Sequence, residues 1–176
     1  MTPEFSRPER VDQIGVTDRA IEIAAADGER AGLARRFGLL AVDRLGARFS
    51  VRRDEAGIVA TGTVTAAVTQ ACVATGEPLP AVIEEAVTLR FVERIETADD
   101  AELSEDALDL LPVEDGAIDL GEAAAATMAL ALDPFPRSPD ADAALAEAGV
   151  KDEETARNDG RPFGGLADLK RKLEEG

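Results

Sequence analysis

Three runs of alternating apolar residues, separated by turns of only a few residues, constrain the fold of this chain more than anything else in it. Leu45, Ala47, Phe49 and Val51 share one parity, Ile58, Ala60, Val64, Ala66 and Val68 the next, and Ile83, Val87, Leu89 and Phe91 the third. Successive side chains of an extended backbone point to opposite faces, so each run makes a strand with one apolar face. In the middle run Thr61, Thr63, Thr65 and Thr69 take the opposite parity, the pattern of a sheet that is wet on one side. Asp54 to Gly57 and Thr75 to Pro80 are short turn segments. Parallel strands need crossovers of a dozen or more residues, so strands joined this briefly pair antiparallel. A three-stranded meander with the second strand in the centre follows.

Before the meander, Phe5, Pro8, Val11 and Ile14 place apolar residues three apart, and Ala20-Ile21-Glu22-Ile23-Ala24 alternates as an edge strand does. Asp27-Gly28 opens a helix whose stripe of Leu33, Phe37 and Leu40 carries it to about Leu40, across Gly38. After it, acids dominate from Glu93 to Glu122, with Arg94 the sole base, and 98–109 lacks strand periodicity. That stretch is expected to be a solvated loop or a marginal helix. Asp119 with Glu122 three residues later forms an N-terminal capping pattern for an alanine-rich helix through Leu132, which Pro134 stops. Its small face lets it lie close on the sheet.

Beyond Pro139 the chain turns to Ala, Asp, Glu and Gly, with almost no large apolar residue before Phe163, a composition that buries too little to order itself. Phe163, Leu166, Leu169 and Leu173 then form the stripe of a short amphipathic helix, with Lys170, Arg171 and Lys172 near its C-terminal end. The expected fold class is α+β: a mainly antiparallel sheet of four or more strands, helices packed on one face, a disordered acidic linker and a short C-terminal amphipathic helix. The expected division is one domain over 1–137, a flexible acidic linker over 138–161 and the amphipathic helix over 162–176.

The residue inventory excludes most chemistry. With no His and a single Cys, the commonest general base is missing, and no ordinary zinc site or internal disulfide can be built. No catalysis, metal or cofactor is expected, nor a small-molecule substrate. Cys72 lacks a histidine to take its proton, which leaves a packed small hydrophobe on the face of Ile58, Val64 and Val68 as the favoured reading over a nucleophile. Glu84 and Glu85 are neighbours on a strand and point to opposite faces, so they cannot act as a pair. Asp99, Asp100 and Glu102 lack the spacing of a calcium loop and read as a solvated run. No apolar run approaches the ~18 residues that a membrane-spanning helix needs. With a lone thiol, the chain is expected to be a soluble cytoplasmic protein without a membrane partner.

A formal net charge of −17 repels nucleic acid at long range and attracts basic partners, and it also serves solubility. With no Trp, no Tyr and six Phe, few rings are present to stack on unpaired bases. Arginine departs from this average. Arg44, Arg48 and Arg52 share the outward parity of one strand and span about 26 Å at roughly 3.3 Å per residue. Arg30, Arg35 and Arg36 on the preceding helix would widen the stripe. It is suited to gripping phosphates; alternatively the arginines pair across strands with Glu84 or lie over threonine methyls. Phe163, Leu166 and Leu169 either fold back on the domain or dock in a partner's groove.

The stretch Gln70–Val92 reads QACVATGEPLPAVIEEAVTLRFV. Through Cys72, Val73, Thr75, Glu77 and Pro78, then Glu84, Glu85, Leu89, Arg90 and Phe91, it resembles the YceD family of large ribosomal RNA subunit accumulation proteins. Asp119 and Leu120, leading into the helix that ends Leu132-Asp133-Pro134-Phe135, resemble a second family segment, and Pro162-Phe163 with Leu166, Leu169 and Lys170 a third. Together these cover Phe5 to Lys172. Many relatives carry a second cysteine where this chain has Thr75, and an acidic and an amide residue where it has Ala126 and Thr127. The resemblance implies a bacterial, non-enzymatic ribosome-biogenesis factor that supports synthesis, processing or accumulation of 23S ribosomal RNA. Its partner would be that RNA or a pre-50S particle. The alternative is an acidic escort for a basic large-subunit ribosomal protein, using the acids of Glu93–Glu122 and the C-terminal helix.

Overall fold

The computed structural model describes residues 3–93 and 109–150. Its elements run β1 (Pro8–Arg10), β2 (Arg19–Ala24), α1 (Asp27–Phe37), β3 (Ala41–Asp54), β4 (Gly57–Ala71), β5 (Pro78–Val92), β6 (Asp109–Pro112), β7 (Ala117–Asp119), α2 (Leu120–Leu130) and α3 (Ala141–Glu147), with a 3-10 turn at Val11–Gln13. The fold is α+β, as the sequence predicts. One sheet has the order β2-β3-β4-β5-β6, and β1 pairs with β7 in a separate two-stranded ribbon.

The meander is present with β4 at its centre, antiparallel to β3 through Phe49↔Gly62 and to β5 through Val64↔Glu85. β2 is an antiparallel edge, and the only parallel contact among the described strands is β5 with β6. A bulge between Val42 and Arg44 inserts one residue into β3. For that reason Val42 and Leu45, three apart, both point inward and are buried. Near the middle of the β3–β4 pair the backbones come so close that a Cβ on Gly62 would lie 2.0 Å from the carbonyl oxygen of Arg48.

The three predicted apolar faces form one core, in which Leu45, Val51, Ala60, Val64 and Val68 are essentially inaccessible. Leu33 of α1 and Ala123, Ala124, Ala125 and Met128 of α2 cover it. Alanines along α2 allow the close approach that its sequence predicts. The N-terminal strap closes the core with Phe5, which is fully buried. It crosses α2 so tightly that a Cβ on Gly121 would meet the Phe5 carbonyl oxygen at 2.5 Å. Arg7 fastens the strap to α1, donating to both carboxylate oxygens of Glu29 at 2.7 and 2.9 Å.

Several boundaries differ from expectation. α1 stops at Phe37, not near Leu40, because Gly38 takes the left-handed conformation (φ 66°) and donates to Ala34 O as a C-cap. Leu40 is exposed and already donates to Thr69 O of β4 at 2.8 Å. The second meander turn is Cys72–Glu77, since Pro78 and Pro80 pair with Ala71 and Thr69. Proline is tolerated there because β6 pairs only with Leu89–Val92 of β5.

The acidic stretch also contains two strands, β6 and β7, where the sequence pattern assigns no element, and the loop or marginal helix expected over 98–109 lies, but for Asp109, outside the described residues. Asp115 and Gly116, with φ of 49° and 72°, make the type of two-residue turn that Asp-Gly favours, joining β6 to β7. α2 ends at Leu130, two residues before the predicted Leu132. Within the expected linker, α3 is helical because alanine has the highest helix propensity, which needs no large apolar side chain. Ala141 is buried, and Arg137 pairs with Asp142 at 2.9 Å. The remainder of that stretch and the predicted C-terminal helix lie outside the described residues.

Candidate functional site

The helices cover one face of the sheet, which leaves the other to solvent. Arg44, Arg48 and Arg52 stand on that open face of β3, opposite Ala67, Thr63 and Val59 of β4. Arg90 shares the face, opposite Val59 from β5. The expected pairing with Glu84 does not occur among the described residues. Instead Arg48 meets Glu22 at 3.1 Å, and Arg52 lies 4.0 Å from Asp18 and 3.9 Å from Asp54. Register explains the exchange, because Glu22 sits directly across from Arg48 while Glu84 faces Thr65. The Arg48–Glu22 pair is exposed on both sides, so it contributes no more than about 1 kcal/mol. Arg44 is exposed, with no carboxylate within 4.0 Å among the described residues. Arg90, by contrast, is held at 2.7 Å by Asp54.

Arg36 does not extend this stripe. It lies with α1 on the covered side of the sheet, donating to Glu122 at 2.8 and 2.5 Å and to Glu4 at 3.1 Å. The Glu122 hydrogen bonds hold its guanidinium charged beyond its already high ordinary value. Arg35 is exposed on the same helix. The structure therefore brings together Arg44, Arg48 and Arg52 and sets the two helical arginines apart from them.

Cys72 ends β4 and is buried. Its sulfur accepts from the backbone N–H of Ser138 at 3.3 Å and lies 3.6 Å from the Ser138 hydroxyl. The turn folds around it, with Cys72 N donating to Glu77 O and Gly76 N to Cys72 O, both at 2.8 Å. The single proton of the Thr75 hydroxyl is contested by the Glu77 carboxylate, 3.1 Å away, and by the sulfur. Donation from Thr75, then from the N–H groups of Ser138, Thr75 and Ala74, favours the thiolate and draws the thiol from 9.0 down to about 6. Sequence reading missed this environment because Ser138 arrives from 66 residues away.

With no Trp and no Tyr, thiolate absorbance at 240 nm is unobscured, and titration of the folded chain should show a midpoint near pH 6. A midpoint at the ordinary value of 9.0 would refute the donor set. The folded value is depressed, so Cys72 stabilises the fold fully above the unfolded thiol value. That contribution fades as pH falls through about 6. In Cys72→Ser, urea stability should lack this rise between those limits.

Asp119 caps α2, accepting from Gly121 N at 2.9 Å and Glu122 N at 3.1 Å. The Glu122 side chain, predicted to complete a capping box, goes to Arg36 instead. Leu120 is fully buried. Beside the cap, an apolar groove of about 460 Å³ opens between α2 and the β6–β7 turn, with Phe91, Leu111, Ile118 and Ala126 in its lining and Glu114 and Asp115 at its rim. The Asp-Gly turn that builds this rim was a signal available in the sequence. Asp99, Asp100, Glu102, Phe163, Leu166 and Leu169 lie outside the described residues. Among the described residues, no helix is long and apolar enough to cross a membrane.

A family model described as Large ribosomal RNA subunit accumulation protein YceD matches residues 60–170. No curated protein matches the chain, and no solved structure does. The match begins in β4, so it holds the Cys72–Pro78 turn, the Asp119 cap and the groove, whereas Arg44, Arg48 and Arg52 precede it. Matched over more than half its length, with the turn and the cap both inside the match, this chain belongs to the YceD family.

Proposed function

We propose that the protein supports accumulation of the large-subunit ribosomal RNA in the bacterial cytoplasm by binding and without catalysis, meeting 23S RNA or a pre-50S particle with the open face of its sheet. The observation that carries this reading is the alignment of Arg44, Arg48 and Arg52 on a solvent-facing strand whose weakest-held members are Arg44 and Arg48. Threonine hydroxyls on β4 lie beside them and add hydrogen-bonding capacity toward phosphate and sugar. The net charge of −17 opposes this at long range, but at physiological ionic strength charges more than about 8 Å apart are largely screened. Contact is then decided locally. In this reading residues 1–137 form the binding domain.

A second reading, an acidic escort for a basic large-subunit ribosomal protein, is favoured by the acid-rimmed apolar groove. Capture of the tagged chain from growing cells at low salt, with and without RNase, separates the two. Retention of 23S RNA, with protein partners lost after RNase, is the expected result. One basic ribosomal protein that survives RNase would favour the escort, and retention of neither would end both readings.

A further inference from the structure

We propose that the groove between α2 and the β6–β7 turn is the docking site of this chain's own C-terminal segment, Pro162–Leu173. The inference rests on the groove and not on the RNA reading. The floor is apolar, built from Phe91, Leu111, Ile118 and Ala126, and its volume of about 460 Å³ falls within the usual range of binding pockets, roughly 300–1,000 Å³. Glu114 and Asp115 at its edge are exposed, and no cation lies within 4.0 Å of either among the described residues. An occupant therefore needs an apolar stripe and positive charge together.

Pro162–Leu173 has both. Phe163, Leu166, Leu169 and Leu173 have the spacing that puts apolar side chains on one face when a segment is helical, and Lys170-Arg171-Lys172 is the longest basic run in the chain. The chain length allows it. Residues 151–161 span up to about 36 Å, against about 16 Å for the length of α2, whose Ala123 and Ala126 line the groove. At the other end of α2, Gln70 donates to Asp133 O and Val73 to Pro136 O, so the strap leading to α3 starts close by. The exposed apolar residues there, Leu130 and Phe135, offer a rival seat. Asp133 is the one acid in the lining of the hollow beside them, so charge favours the groove.

Because the chain has no Trp and no Tyr, Phe163→Trp in the full chain places a single reporter on the segment. Its emission should be blue-shifted relative to a 162–176 peptide carrying the same substitution, and the shift should persist through hundredfold dilution. Adding Ala126→Arg, which fills the groove from a half-buried position on α2, should return the emission to that of the peptide. Glu114→Lys, on the surface turn, should weaken the shift and make it less salt-dependent. Emission like the peptide's in the parent chain would overturn the proposal, as would a shift that survives Ala126→Arg. A shift lost on dilution would assign the groove to a second copy instead.

Discussion

Arg44→Glu, Arg48→Glu and Arg52→Glu combined are expected to lower affinity for a 23S RNA fragment about a hundredfold or more at near-physiological salt. The size follows from three charge-assisted contacts worth about 1 kcal/mol or more each, with 1.4 kcal/mol per factor of ten. Salt dependence is the sharper readout, since each phosphate contact contributes about 0.7–0.9 to the slope of log K against log salt, so the slope should flatten by roughly two to three. The fold should persist, because Arg44 and Arg48 are exposed and the Glu22 pair is a surface contact. Anisotropy titrations across a salt series, with a melting curve for each variant, test this. An unchanged slope would remove the open face as the RNA contact. Replacement of the same three by Lys should keep the slope while losing the bidentate geometry.

Asp119→Ala should be the most costly single substitution at the cap, about 3 kcal/mol. One carboxylate there serves four donors: Arg7 N at 2.8 Å, Gly121 N, Glu122 N and the Ser6 hydroxyl at 2.5 Å. Loss of a helix cap costs about 0.5–2 kcal/mol, and the Arg7 N–H and Ser6 hydroxyl left without a partner add about 1–3 kcal/mol. For a chain of this size, that lowers the melting temperature by roughly 6–12 °C. Asp119→Asn retains an acceptor oxygen and should lose less. Chemical denaturation measures both, and a loss below about 1 kcal/mol for the alanine variant would show that the strap is held by Phe5 and Arg7 alone. Asp119 lies within the family match and is accounted for by this structural duty.

The meander was legible because period-two alternation and short turns are properties of adjacent residues. Ile58, Ala60 and Val64 needed no distant information to be placed on the buried face. The acids of 109–119 were harder to read, since their charge masked two short strands whose pairing depends on Phe91 and Pro8. α3 was missed because burial was used as the measure of order, where alanine propensity sufficed. At the candidate site, parity found the Arg44, Arg48 and Arg52 row but not the partners. Glu22 reaches Arg48 only through the β2–β3 register, and Ser138 reaches Cys72 only through the fold. Arg36 was misplaced because a helix covering the inner face looks adjacent to the stripe in sequence while lying across the sheet from it.

The β1–β7 ribbon joins Pro8–Arg10 to residues 117–119, and this sets an order of events during synthesis. β3, β4 and β5 contact their sequence neighbours, so loop closure for them is short and early. β1 of the N-terminal strap has its strand partner more than a hundred residues downstream. At a synthesis rate of about 5–20 residues per second, it waits roughly 5–20 s for that partner. Until β7 emerges, Pro8–Arg10 have no strand to pair with. β1 is therefore made long before the ribbon it belongs to can close.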